Sequence, residues 1–364
     1  MVFKQETVDE TLIQALTESY GAPGFEQPIR QIMEQYMAEI SPEVKKVRDR
    51  LGSLFGVLEG QMDGPRVMVA GHMDEVALMV TRVTDDGFLH MTPLGGFWDP
   101  VLLAQRVVVI GRKGKVFGVI GARPPHGMSE AEKQKALTIE DMFVDVGARS
   151  QEEVDALGIR PGDPIVPVGA YTPLAGGRVL AKAWDNRYGV ALSLEILREF
   201  APIQDRLPGV LYSGATVQEE VGLRGAETAA RLIQPDIFFA LDAGPAGDMP
   251  GQTKAFGRLG AGVLMRIKDR TMITHPRLRD FLIDLAEQEG IPYQFFVSQG
   301  GTDAGRVHTM EVGIPSAVIG IPARYIHSHV SVVDLDDYRA AKALLKKVLL
   351  SLDRSTLEII LDSY

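Results

Sequence analysis

Glu219 and Glu220 stand side by side in the run TVQEEVGLRGA, residues 216–226, between a strand-like segment and a helix-like one. Adjacent carboxylates repel, and holding them together is costly unless cations sit nearby. Four more segments carry metal-capable side chains in the same position, just past a strand. RVMVAG runs into His72, with Asp74 two residues on, and VLAKAW runs into Asp185. DIFFA runs into Asp242, and SAVIGIP leads to His327 and His329. Ligands of open α/β proteins bind beyond the carboxyl ends of strands, so these groups are expected to converge in one crevice at one end of one sheet.

Each residue taken singly has an ordinary explanation. Asp185 or Asp242 alone is a helix N-cap, His72 alone is a half-buried histidine, and the acid pair alone is a solvated turn. Five such coincidences at one sheet end point instead to metal. The chain has no cysteine, so any metal must be held by His, Asp and Glu. Imidazole nitrogen with carboxylate oxygen suits zinc, and cobalt or manganese can replace it. Two such ions can share a carboxylate and activate a water, and a further carboxylate is then needed to take that water's proton. Two neighbouring glutamates can divide those tasks. His327 and His329 are two apart, so on an extended segment either could face the metal.

The elements that must position these groups fall into two textures. Helices are expected over 5–18 and 28–40, where Ile29, Ile32, Met33, Tyr36, Met37 and Ile40 recur at helical spacing. Strands are expected at Val44–Val47, Leu54–Glu59 and Arg66–Ala70. From about 75 to 171 the chain is a succession of short β-rich stretches broken by Gly, Pro and Asp, with one helical stretch at Gln151–Leu157. That pattern suits a small barrel or sandwich. From about 172 strands and helices alternate, as in an α/β sheet with helices on its faces. The expected fold is therefore a mixed-sheet α/β domain of residues 1–74 and 172–364, interrupted by an inserted β-domain of residues 75–171.

Composition narrows the function. The 364 residues are 45% hydrophobic and 24% charged, with a net charge of −10. No dense Lys/Arg cluster suggests a nucleic-acid surface, and no apolar run approaches the roughly 18 residues that cross a membrane. No basic flank with a hydrophobic stretch opens the chain, and a cytoplasmic location is expected. His90, His126, His275 and His308 fit no ligand block.

The blocks HMDEVALMV (72–80), KAWDNRYG (182–189), TVQEEVGLRGA (216–226), LDAG (241–244), GGTDAG (300–305) and RYIHSH (324–329) resemble those of the co-catalytic metal aminopeptidases. They are most similar to the glutamyl and deblocking aminopeptidases that build tetrahedral complexes. The resemblance covers essentially the whole chain. It implies that His72 and Asp242 hold one metal, that Glu220 and His327 hold the other, and that Asp185 bridges them. It implies that Glu219 is the general base, that Asp74 orients the His72 imidazole, and that a cis peptide follows Asp185. Thr302 and Asp303 are expected beside the substrate. Peptides with a free N-terminus are the implied substrates. The β-insert is implied to drive self-association to a dimer or dodecamer. The departures are small: Ala77 stands where relatives often have Gly, and the HSHVSVVD stretch varies.

Three other readings compete. A glycosidase needs two flanking carboxyls and gains from aromatic platforms, but the chain has two Trp and its histidine set would be superfluous. A non-catalytic scaffold would be expected to lack Glu219 or Asp185. A deacylase, dipeptidase or carboxypeptidase could use the same two-metal core, but the LRGAETAA block and the inserted domain favour the aminopeptidase. A glutamyl preference would need a cation in the first pocket, for which Arg224, Arg306 and Arg324 are candidates by proximity in sequence.

Overall fold

The computed structural model describes residues 2–41, 44–252 and 256–362. After a 3-10 turn at Val2–Gln5, helices α1 (Glu10–Glu18) and α2 (Gln27–Ile40) lead to strands β1 (Lys45–Arg48), β2 (Leu54–Glu59) and β3 (Arg66–His72). The first helix starts five residues later than 5–18 because Asp9 caps it, its carboxylate accepting the Leu12 N–H at 3.0 Å.

Six strands then close into a barrel: β4 (Ala77–Val83), β5 (Leu89–Leu94), β6 (Arg106–Gly111), β7 (Gly114–Ala122), β8 (Met142–Asp145) and β9 (Pro164–Pro167). Short helices α3 (Glu130–Lys133) and α4 (Gln151–Leu157) interrupt it. Alternation along β6 decides what packs where. Val107 and Val109 fill the barrel with Leu78, Leu89 and Ile165, whereas Val108 points outward and packs with Val166 against Ala22 of the α/β body. The outer face of β7 leaves Phe117 and Val119 exposed.

The remaining strands are β10 (Thr172–Pro173), β11 (Arg178–Ala181), β12 (Val210–Thr216), β13 (Ile237–Pro245), β14 (Val263–Lys268), β15 (Tyr293–Val297), β16 (Ser316–Ala323) and β17 (Ser331–Asp334). The helices are α5 (Trp184–Phe200), α6 (Arg224–Ile233), α7 (Pro276–Glu289), α8 (Asp303–Val307), α9 (Leu335–Ser351) and α10 (Arg354–Leu361). Eight strands form one mixed sheet in the order β1-β2-β12-β3-β13-β16-β14-β15. Its centre, β12-β3-β13-β16, is parallel. Strand alternation feeds two cores. Val67 and Val69 face α1, α2, α5 and α9, and Met68 and Ala70 face α6 and α8. Helices thus cover both faces, as a mostly parallel sheet requires. No helix of the described residues is long and apolar enough to cross a membrane.

One expectation is corrected. Asp185 does not follow a strand of the main sheet, because β11 belongs to a separate three-stranded sheet, β10-β11-β17. Its partner β17 lies in the HSHVSVVD stretch, and the register Ala181↔Ser331 brings the approach to Asp185 beside the exit from the His327 loop. The two residues meet through this small sheet.

Helix α5 runs almost wholly buried against β3 and β13. Glycines make the contact possible: a Cβ on Gly189 would lie 2.3 Å from the Leu241 carbonyl oxygen and 2.8 Å from the Gly71 Cα. Backbone atoms cannot yield as a flexible side chain would. Gly189→Ala is expected to cost about 1–3 kcal/mol as an overpacked core site, read as a lower thermal unfolding midpoint. An unchanged midpoint would contradict the close approach.

Candidate active site

The central parallel strands deliver the site. Thr216 is paired with His72 in register, so β12 and β3 end level, and Glu219 and Glu220 follow within four residues. Ala240 is level with Ala70, so Asp242 and His72 stand at the same height, two residues further along each strand. Backbone conformations here are unusual. Ala183, Gln218, Leu223, Tyr325 and His327 all have φ between 53° and 57°, a region other residues than glycine seldom adopt and one found at functional sites. The Asp185–Asn186 peptide is cis.

Asp185 is the hub. Its Oδ1 lies 3.0 Å from His72 Nε2 and its Oδ2 lies 3.2 Å from His327 Nε2. Each imidazole has its other nitrogen committed. His72 Nδ1 donates to the Asp74 carbonyl at 3.1 Å, and His327 Nδ1 donates to the Gly96 carbonyl at 2.7 Å. With Nδ1–H used, Nε2 of the neutral ring is an acceptor facing a carboxylate oxygen, and two acceptors at such a distance need a proton or a metal cation between them. Asp242 Oδ1 lies 3.9 Å from His72 Nε2, and Glu220 Oε1 lies 3.6 Å from His327 Nε2. Two donor sets result, each an imidazole and a carboxylate, with Asp185 between them. They adjoin, because ligand atoms of His72, Asp185 and Glu220 lie within 4.8 Å of one another.

Glu219 Oε2 is 3.8 Å from His72 Nε2. The acid pair is held from behind by Asp74, which is fully buried and whose two carboxylate oxygens accept the backbone N–H groups of Glu219 and Glu220, both at 3.0 Å. Its carboxylate is also 3.4 Å from His72 Nδ1. Asp74 therefore touches the imidazole it was expected to orient and, in addition, fixes the glutamate turn. Below it, Glu75 is buried between Lys182 at 2.7 Å and Arg187 at 3.1 Å.

The electrostatics record a surplus of negative charge. Burial and the neighbouring charges of Asp242, Asp303 and Glu220 push Glu219 far above the usual carboxylate range, although His72 opposes the shift. Burial and Asp185 push Glu220 up to about 8, against the pull of His327. Burial and Asp185 push Asp242 up to about 7. Asp185 itself is held low: burial would raise it, but the hydrogen bonds to His327 and His72 outweigh burial. Burial disfavours the charged imidazoles, yet Asp185 and Glu220 raise His327 to about 10, and Glu219, Asp185 and Asp74 raise His72 well above its ordinary value. The Glu220 Oε1 atom is buried without a hydrogen-bond partner. Acids that resist ionisation beside imidazoles that draw protons are the pattern of a site shaped for cations, and the donor set fits borderline divalent metals.

Asp185, Glu219, Glu220, Asp242 and His327 line a cavity of about 860 Å³. Thr302 and Asp303 were expected to line it, but the wall is made by their neighbours Gly300 and Gly301. Thr302 is fully buried as the N-cap of α8, and Asp303 accepts a hydrogen bond from Thr216 behind the wall. The GGTDAG run reads as a loop in sequence because five helical residues are too few to show a period. Arg224, Arg306 and Arg324 are also absent from the wall. They bind Gln218, Glu227 and Asp248 respectively. The arginine on the wall is Arg266. Its guanidinium lies 3.2 Å from Asp269, 4.0 Å from Asp242 and over the Phe296 ring. A charged residue inside the apolar strand VLMRIK was the signal that could have found it. His329 lies half-buried with Nδ1 unpartnered, so of the two candidate histidines it is His327 that faces Asp185.

Comparison with known proteins gives the family. The M42 glutamyl aminopeptidase family matches residues 52–344. A glutamyl aminopeptidase of Lactococcus lactis subsp. cremoris is 39% identical over 94% of this chain and 96% of its own length. A TET aminopeptidase from the marine sediment archaeon Thaumarchaeota archaeon SCGC AB-539-E09 superposes with a TM-score of 0.93 at 40% identity, covering 96% of this chain and 99% of that one. A Pyrococcus horikoshii TET1 peptidase, which can assemble into a tetrahedron or a large octahedral shell, superposes with a TM-score of 0.83 at 31% identity, covering 94% and 99%. The mixed-sheet fold with its inserted barrel, the clustered His and acid side chains and these matches agree: this chain belongs to the M42 glutamyl aminopeptidase family and is a peptidase hydrolase.

Proposed function

We propose that the enzyme removes single residues from the free N-terminus of short peptides, using two divalent metal ions and a glutamate base. The observation that carries this reading is the Asp185 carboxylate, each of whose oxygens faces the Nε2 nitrogen of a different imidazole. His72 and Asp242 would hold one ion, Glu220 and His327 the other, and Asp185 would bridge them. Zinc suits this set first, and cobalt or manganese can replace it. When bound, such ions make a water more acidic and polarise a carbonyl oxygen.

The protein's own groups do the rest. Glu219 is the carboxylate left over once each ion has its ligands, and it stands within 4 Å of the His72 nitrogen. It takes a proton from the attacking water and returns it to the departing amine. Asp74 keeps that carboxylate from drifting by gripping the backbone on both sides of the Glu219–Glu220 peptide. Asp303 lends a further negative charge to the cavity floor and helps hold the terminal ammonium of a substrate by charge rather than by direct contact.

In this reading residues 1–74 and 172–364 form the catalytic domain, and the insert of residues 75–171 pairs protomers, to a dimer or onward to a dodecamer. Support comes from apolar side chains that the barrel leaves in water, Trp98 at 73% and Phe117 at 64% exposure among them.

Two outcomes test the proposal. Glu219→Gln should lower kcat on aminoacyl p-nitroanilides by about 10²–10⁴-fold with metal content unchanged, and chelation should abolish activity until Zn²⁺, Co²⁺ or Mn²⁺ is restored. Full activity in the variant, or chelator-resistant turnover, would remove Glu219 or the metals from the mechanism. Light scattering should report a mass above one 39.7 kDa chain, and Phe117→Glu with Trp98→Glu should reduce it. An unchanged assembly would exclude these two side chains from the interface.

A further inference from the structure

The turn that follows β5 leaves the barrel and touches the metal-binding cluster at two points. Gly96 presents its carbonyl to His327 Nδ1 at 2.7 Å. Gly95 stands against Glu220: a Cβ built there would lie 3.2 Å from both Glu220 Cβ and Oε2, and 2.9 Å from Val76 Cγ1. Gly95 also has φ +99°, a conformation that L side chains avoid. The two histidines are thus anchored by different parts of the chain. The ring of His72 is held by a carbonyl of its own loop, that of Asp74. The ring of His327 is held by a carbonyl that the inserted barrel supplies, 231 residues earlier in sequence.

We propose that the Gly95–Gly96 turn is a positioning element of the metal site, so that the barrel sets the affinity of the ion held by His327 and Glu220. The inference rests on those two residues being metal ligands, as read above. Gly96 fixes which imidazole nitrogen carries the hydrogen, leaving the Nε2 lone pair toward Asp185 and Glu220. Gly95, by lacking a side chain, lets the Glu220 carboxylate stand 3.6 Å from that nitrogen. A residue with a Cβ at position 95 would press on Glu220 and on Val76, which adjoins the Glu75 anchor, and would move one ligand relative to the other.

The test is Zn²⁺ binding to the full-length protein, stripped by chelator and titrated against a chromophoric competitor. Gly95→Ala should weaken one of the two Zn²⁺ equivalents by about 10–100-fold, the range typical when a support of a metal ligand is lost, and leave the other unchanged. Gly114→Ala controls for backbone strain in the same barrel, since Gly114 has φ +120° and nothing within 4 Å of an added Cβ. It should leave Zn²⁺ affinity unchanged while lowering the metal-free melting midpoint about as much as Gly95→Ala does. Should Gly95→Ala lower the yield of folded protein, Val76→Ala with Gly95→Ala removes the tightest contact and leaves the one on Glu220, and the Zn²⁺ defect should persist. Wild-type affinity in either Gly95 variant, or an equal loss in Gly114→Ala, overturns the proposal. A wild-type protein that binds no divalent metal overturns the proposed function as well, which separates the two failures.

Discussion

Like charge held at close range inside protein is the constraint around which this molecule is arranged. Two unit charges 4 Å apart repel by about 4 kcal/mol at an effective dielectric of about 20, and Asp185, Glu219, Glu220 and Asp242 share one cavity wall, with Asp303 buried behind it. The response is visible in the acids themselves: Glu220 and Asp242 are pushed up to about 8 and about 7. Such a cluster persists because the surrounding structure over-determines it. Asp74 clamps the glutamate turn, the small β10-β11-β17 sheet ties the Asp185 segment to the His327 segment, and the buried Lys182–Glu75–Arg187 group anchors the loop beyond β3. A group of this kind is weak as a source of stability, since desolvation offsets most of the attraction, but removing one partner leaves a buried charge uncompensated.

The sheet contributes geometry rather than chemistry. Parallel strands ending level put His72, Asp242 and the glutamate turn at one height, and α5 lies close enough to carry Asp185 into the same space. That closeness depends on Gly71 and Gly189, where backbone meets backbone. Glycine costs conformational entropy on folding. Here it lets α5 approach the sheet closely enough to bring Asp185 beside His72.

The barrel and the α/β body are physically joined. Val108 and Val166 pack on Ala22, the buried Glu75 group lies at the junction, and Gly96 supplies the carbonyl that holds His327. The barrel and the His–acid cluster are therefore mechanically contiguous, with the Gly95–Gly96 turn between them.

The sequence by itself determined most of the plan. Period-2 and helical patterns are local, so β2 and α4 lie where the pattern puts them, and the β-rich texture of residues 75–171 announces the barrel. The metal-capable residues were legible because each follows a recognisable strand or belongs to a motif block. Other features were not legible because they depend on contacts far apart in the chain. That Asp185 arrives from a second small sheet follows from the pairing of β11 with β17, about 150 residues away. That Gly300 and Gly301, rather than Thr302 and Asp303, face the cavity follows from how α8 packs under the main sheet. That Arg266, and none of Arg224, Arg306 or Arg324, reaches the wall follows from ion pairs no local pattern reports. Residue type and spacing state which chemistry is available; tertiary structure decides which of those residues meet, because hydrogen bonds and ion pairs act over a few ångströms whatever the distance in sequence.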